Sequence, residues 1–262
     1  MYQHHRESIK NLIEYFKGEN GIIAIILGGS VAKGLARKDS DIDAQIIVTQ
    51  EKYKKLCAEG RQGECIFGHC TYPEGYFDIK YYTKDFLKAA ADHGSEPARN
   101  AFLCATCLFS IDPEIPDLIK EIPVFQKKEK NDKMLSFYSA LHLNMDYFWK
   151  MSEHEVFLRH KSAVDIVFFG LRLLLQENEI LFPCHKSLFQ TVAAMQNKPE
   201  KILEKAENLL TSPTTENKEK FVTSLLDFLD YQPPKDLSEI LTRYIADHEL
   251  WWYQTRPLIA EW

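Results

Sequence analysis

Six apolar residues in succession, Ile22 to Leu27, run without interruption into Gly28-Gly29-Ser30. A run of strand length that is apolar at every position and rich in isoleucine reads as a central strand covered on both faces, because a half-exposed strand would alternate. The covers must come from the rest of the chain. With 262 residues, 45% of them hydrophobic, there is enough material for them. Upstream, Ile9, Leu12, Ile13 and Phe16 recur at helical spacing, so residues 3 to 17 read as an amphipathic helix that stops near Gly18. Downstream, the pattern predicts a short helix after the glycine turn, a strand over 41–49 and a helix over 51–58. Strands over 65–70 and 76–82 follow around a Pro73 to Gly75 turn, then a helix over 84–92 capped by Thr83 and a last strand within 104–111.

After Pro123 the texture changes. Gln126 to Lys133 is densely charged, and every later apolar segment has helical length: 134–150, 155–177, 185–195, 199–210, 216–230 and 236–248. The last opens on Asp236-Leu-Ser-Glu239, which has the spacing of a capping box. The expected fold class is therefore α+β. A small mixed β-sheet domain flanked by helices occupies residues 1–128, and an all-α helical bundle occupies 129–262.

Net charge is -6, which argues against a nucleic-acid partner because phosphate backbones recruit basic faces. No apolar run approaches the roughly 20 residues that span a bilayer, and the N-terminal residues lack the apolar block of a signal peptide. A cytoplasmic protein with no membrane partner is expected. The six cysteines are too sparse for a disulfide scaffold. Cys104 and Cys107 have CxxC spacing but lie in an apolar run, so they read as core thiols rather than zinc ligands.

The chemistry concentrates in the stretch from Leu27 to Asp43. Gly28 and Gly29 let backbone N–H groups approach an anion, Ser30 adds a hydroxyl, and the helix that follows points its N-terminus at the same place, as a triphosphate cradle requires. Asp41 and Asp43 flank Ile42 on a strand, which places both carboxylates on one face about 7 Å apart. Such a pair suits Mg²⁺, a hard ion that also bridges to phosphates. Asp78 is the expected third acid, since an aspartate between Phe77 and Ile79 in mid-strand is costly to bury unless a metal or a cleft compensates it. Asp85 and Asp92 fall on a helix and read as solvated.

This set, Gly29-Ser30, then Asp41-Ile-Asp43, then a strand-borne Asp78, resembles the signature of the DNA polymerase beta-like nucleotidyltransferases. With a helical C-terminal domain added, the chain is similar to bacterial antibiotic nucleotidyltransferases, including those acting on aminoglycosides and lincosamides. The resemblance covers residues 20 to 82. It implies that Gly28, Gly29 and Ser30 hold the triphosphate, that Asp41, Asp43 and Asp78 bind two Mg²⁺ ions, and that Lys33, Arg37 and Lys186 are candidate phosphate partners. The implied reaction is transfer of a nucleoside monophosphate, AMP in the leading reading, from ATP or another nucleoside triphosphate to a hydroxyl of a small molecule such as an aminoglycoside-like antibiotic, with release of pyrophosphate. The alternatives are a regulatory or antitoxin-like binding protein of the same fold, or a transferase that modifies protein or RNA. In the helical domain, Lys161, Asp165 and Arg172 form a polar stripe that faces either a cleft or solvent. Trp251, Trp252, Tyr253 and Trp262 read as packing or interface residues, with ligand stacking as the other option.

Overall fold

In the computed structural model, which describes residues 1–262, the isoleucine run is strand β1 (Ile22–Leu27). It belongs to the first of two compact units, Met1–Val124. The order there is α1 (Gln3–Phe16), β1, α2 (Gly29–Ala32), β2 (Ile42–Val48), α3 (Gln50–Ala58), β3 (Gly63–Phe67), β4 (Tyr76–Tyr82), α4 (Lys84–His93), α5 (Glu96–Ala101), β5 (Thr106–Ser110) and α6 (Ile115–Glu121). The strands form one sheet in the order β3-β4-β2-β1-β5, with β2 and β4 parallel and the other pairs antiparallel. A parallel pair needs a crossover. Here α3 and β3 supply it.

Both faces of β1 are covered, as its unbroken apolar character demands. Ile25 and Leu27 pack with Leu12 and Phe16 of α1, while Ala24 and Ile26 pack with Leu87 of α4 and Ile119 of α6. The threonine caps are in place. Thr49 accepts from the Lys52 N–H to open α3, and Thr83 accepts from the Phe86 N–H at 3.2 Å to open α4.

Helices α5 and α6 lie where the sequence pattern predicts no element. α5 starts on a Ser95 cap with Pro97 in its first turn, and it buries polar residues instead of an apolar stripe. Arg99 is wholly buried and donates to the carbonyls of Gly94 at 2.9 Å, Ala91 at 3.1 Å and Ile122 at 3.0 Å, so one guanidinium ties α5 to the ends of α4 and α6. Cys104 departs from its expected core role: it is exposed at a backbone φ of +61°, and Cys107 is only half-buried.

The second unit, Phe125–Trp262, is all helix. A 3-10 turn (Lys127–Glu129) leads into α7 (Lys130–Leu143), which continues through a π-helical turn (Asn144–Phe148) into α8 (Trp149–Met151). Then come α9 (Val156–Glu177), α10 (Leu188–Ala194), α11 (Ile202–Thr211), α12 (Thr215–Leu226), α13 (Leu237–His248) and α14 (Trp251–Gln254). The charged stretch before residue 134 is helical from Lys127 onward. Its Lys133 is buried and pairs with Glu129 one turn back at 3.2 Å. At α13, Asp236 accepts from the Ser238 N–H at 2.8 Å, a simple N-cap in place of the reciprocal box. No helix is long and apolar enough to cross a membrane.

The polar stripe on α9 divides. Lys161 and Asp165 form an ion pair one turn apart, whereas Arg172 is wholly buried, facing neither cleft nor solvent. Its guanidinium lies over the rings of Phe137 and Phe182, at 4.3 Å and 4.1 Å from their centroids, and donates to the carbonyls of Ala260 (3.0 Å) and Trp262. Trp262 lies close to Lys133, Arg243 and Arg256, while Trp252 and Tyr253 are exposed.

Candidate active site

Where β1 ends, the Gly28 N–H donates to the Asp43 carbonyl at 3.0 Å, which ties the turn to β2. Gly29 follows at φ +62°, and a Cβ built on it would lie 1.7 Å from Asp43 Oδ2. Glycine is therefore required by the carboxylate packed against it as well as by its left-handed backbone. The sequence pattern assigns that need to an approaching phosphate; the nearer constraint is Asp43. α2 is a single turn, too short for a large dipole. What it offers an anion is the first backbone N–H groups of a helix, which have no intrahelical acceptor, next to the half-buried Ser30.

Asp41 sits immediately before β2, and Asp43 is on it, directly opposite Asp78 of β4 in the parallel register. Carboxylate oxygens of Asp41, Asp43 and Asp78 all lie within 4.8 Å of one another, and all three residues are half-buried. The loop that delivers Asp41 is held from several sides. Tyr76 donates to Asp41 Oδ2 at 3.0 Å, Tyr72 donates to the Ser40 carbonyl at 2.6 Å, and His4 Nε2 donates to the Lys38 carbonyl at 2.9 Å. The hydrogen bond to Asp41 pushes the Tyr76 phenol up to about 12, and burial raises that of Tyr72 further.

Three carboxylates this close repel one another. Lys80 gives partial relief: its ammonium is 3.3 Å from Asp78 Oδ2. Burial alone would lower the Lys80 pKa, but the Asp78 and Asp43 carboxylates outweigh it and hold the ammonium above its ordinary value. The cluster remains an excess of hard oxygen donors on a partly open face. That donor set fits a divalent cation such as Mg²⁺.

The remaining candidates from the sequence are not part of the acid cluster. Lys33 donates to the buried Asn100 Oδ1 at 2.6 Å. Arg37 pairs with Asp39 in solvent, and Asp85 and Asp92 are exposed on α4. Lys186 belongs to the second unit, exposed on the 3-10 turn His185–Ser187.

The sequence pattern assigns no role to Tyr76, Lys80 or Gln45, although strand periodicity carries the signal. On β4, Tyr76, Asp78, Lys80 and Tyr82 share a face, and Gln45 follows Asp43 on the same face of β2. Beside Asp43 this face opens into a cavity of about 240 Å³, whose walls include Gln45, Lys80 and Tyr82 on the sheet and Ala98 and Ala101 on α5.

Residues 9–94 match the nucleotidyltransferase domain family. Among solved structures, the chain is similar to a nucleotidyltransferase-like protein from Exiguobacterium sibiricum 255-15 at 9% identity and a TM-score of 0.45, with 92% of this chain and 76% of that chain covered. It is also similar to spectinomycin adenyltransferase AAD(9) from Enterococcus faecialis, solved with ATP and spectinomycin, at 12% identity and a TM-score of 0.34, with 91% of this chain and 96% of that chain covered. No curated protein matches the chain.

Proposed function

We propose that this chain, whose residues 9–94 match the nucleotidyltransferase domain family, transfers AMP from ATP to a hydroxyl of a small-molecule acceptor and releases pyrophosphate. The observation that carries the reading is the convergence of Asp41, Asp43 and Asp78 within 4.8 Å, next to the Gly28-Gly29-Ser30 turn. Asp41, Asp43 and Asp78 would together hold two Mg²⁺ ions. When bound, the ions neutralise phosphate charge and lower the pKa of the acceptor hydroxyl.

The chain's own groups do the rest. The turn's N–H groups and the Ser30 hydroxyl bind the β- and γ-phosphates as hydrogen-bond donors. Tyr76 and Tyr72 keep Asp41 aimed at the cluster, so little reorganisation is left for the reacting complex. Asp78 lies on the acceptor side and orients the attacking oxygen. As the bond from that oxygen to the α-phosphorus forms, the bond to the bridging oxygen breaks, pyrophosphate leaves with the electron pair, and the hydroxyl proton passes to water. We assign acceptor binding to the second unit, residues 125–262. Aminoglycoside-like antibiotics are the first acceptor class to test.

The experiment is a screen of hydroxylated acceptors against each labelled nucleoside triphosphate with Mg²⁺, read by mass spectrometry. An acceptor heavier by one AMP, together with pyrophosphate, is expected. Failure of the folded protein to bind any metal-triphosphate complex would overturn the reading.

A further inference from the structure

We propose, on the nucleotidyltransferase reading above, that the cavity beside Asp43 receives the base of the nucleoside triphosphate and that the Gln45 carboxamide selects adenine. The register of β2 on β4 places three facing pairs along one side of the sheet: Asp43 opposite Asp78, Gln45 opposite Lys80, and Ile47 opposite Tyr82. One step of about 7 Å along the strand leads from Asp43 to Gln45. The cavity is also bounded by Gly29, so whatever fills it is contiguous with the turn and the acids.

The walls suit a flat ring. Tyr82 and Phe86 stack with centroids 3.9 Å apart and planes 8° from parallel, and α5 contributes the compact side chains of Pro97, Ala98 and Ala101. At about 240 Å³ the space exceeds the roughly 150 Å³ that admits benzene and falls short of the roughly 300 Å³ at which sites for whole drug-sized ligands begin.

Gln45 supplies the polar contact. It is 6% exposed, lines the cavity, and its carboxamide oxygen has no hydrogen-bond donor in the chain. Buried polar atoms are normally paired, so an unpaired one in a side chain that lines a cavity points to a ligand group that pairs with it once the amide turns. The terminal torsion of glutamine lets its oxygen and nitrogen exchange places, and the amide then presents an acceptor beside a donor. Adenine answers with an amino donor beside a ring-nitrogen acceptor, the pairing glutamine makes with adenine elsewhere; cytosine carries the same pair but has only one ring to lie along the Tyr82–Phe86 wall.

Calorimetry of the full chain tests this with Mg²⁺ and, in turn, ATP, GTP, CTP, UTP and the base-free probe tripolyphosphate. The wild type should prefer ATP. Gln45→Leu, which removes the amide, should lower ATP affinity about 10-fold toward that of the other three and leave tripolyphosphate binding unchanged. Ala98→Phe, which fills the cavity from its half-buried α5 wall, should weaken all four nucleotides and spare tripolyphosphate; it decides the matter if Gln45→Leu does not fold. Equal affinity of the wild type for the four nucleotides, or a folded Gln45→Leu that keeps the ATP preference, would overturn the base pocket and leave the nucleotidyltransferase reading standing. A folded wild type that binds neither nucleotides nor tripolyphosphate would overturn both.

Discussion

The acid cluster of the first unit and Arg172 of the second handle charge in opposite ways. Arg172 is completely buried, yet two aromatic faces and two backbone carbonyls surround its guanidinium. Asp41, Asp43 and Asp78 stay half-buried and leave a surplus of negative charge that Lys80 only partly offsets. A charge that the fold itself surrounds with partners holds the fold together; a surplus kept at the mouth of a cavity waits for a ligand. Mutations should therefore separate the two regions, with loss of stability in one and loss of binding or turnover in the other.

The sharpest separation is expected at the paired acids. Asp41→Asn or Asp43→Asn should abolish transfer, by at least about 10³-fold, and remove most Mg²⁺-dependent triphosphate binding while the melting curve stays close to wild type. Wild-type turnover in either variant would remove both residues from the site. Arg172→Met tests the opposite pole. It strips the donor from the Ala260 and Trp262 carbonyls and should cost about 3 kcal/mol in urea unfolding without moving Mg²⁺ affinity at the acids. A stability change below about 1 kcal/mol would mean that the contacts around the guanidinium are dispensable.

Asp78→Asn should split binding from chemistry. The metal-triphosphate complex still has Asp41, Asp43 and the turn, so nucleotide Kd should change little while kcat falls about 10²-fold, equivalent to roughly 2.7 kcal/mol. A variant with near-wild-type kcat would require another acid to complete the site. Gly29→Ala should be milder. A Cβ there overlaps Asp43 Oδ2 and is strained by the positive φ, so the carboxylate must turn away, weakening metal-triphosphate binding about tenfold and stability by about 1 kcal/mol. Unchanged affinity in calorimetry would show that Asp43 can yield freely.

The smallest effect concerns pH. The Tyr76 phenol is held neutral by its bond to Asp41, so the folded state keeps a proton that the unfolded chain releases near pH 10. The resulting stability is fully present below that value and is lost as pH rises through about 12. Unfolding followed across this window should show an alkaline loss in the wild type that is smaller in Tyr76→Phe. Identical alkaline profiles would count against the Tyr76–Asp41 bond.

Most of the sheet was legible because its residues obey simple periods. Ile22 to Leu27 is apolar throughout as a doubly covered strand must be, and the expected strand over 76–82 coincides with β4. Asp41 and Asp43 were legible as a pair because strand alternation puts residues two apart on one face, and Asp78 because a carboxylate set among apolar strand neighbours is costly to bury unless a cation or an open cleft compensates it. What escaped is what polar burial hides. α5 packs through Glu96, Arg99 and Asn100 rather than an apolar stripe, and Arg172 occupies a helix position where a charge reads as surface. For Arg99 and Arg172 the compensating groups include backbone carbonyls, which no side-chain pattern records. Gln45 escaped for a related reason, since its place beside the cavity depends on α5.

The in-register meeting of Asp43 and Asp78 also has a kinetic side. The two residues come from parallel strands whose pairing waits on α3 and β3, a closure between segments distant in the chain. A cation shared by Asp43 and Asp78 gains its full ligand set only when β4 docks on β2, so it holds the finished sheet more tightly than its precursors. Its occupancy adds RT ln(1 + [M]/Kd) to the stability of that pairing. Tightening of metal binding during refolding would therefore report on the β2–β4 crossover, marking when the two strands join.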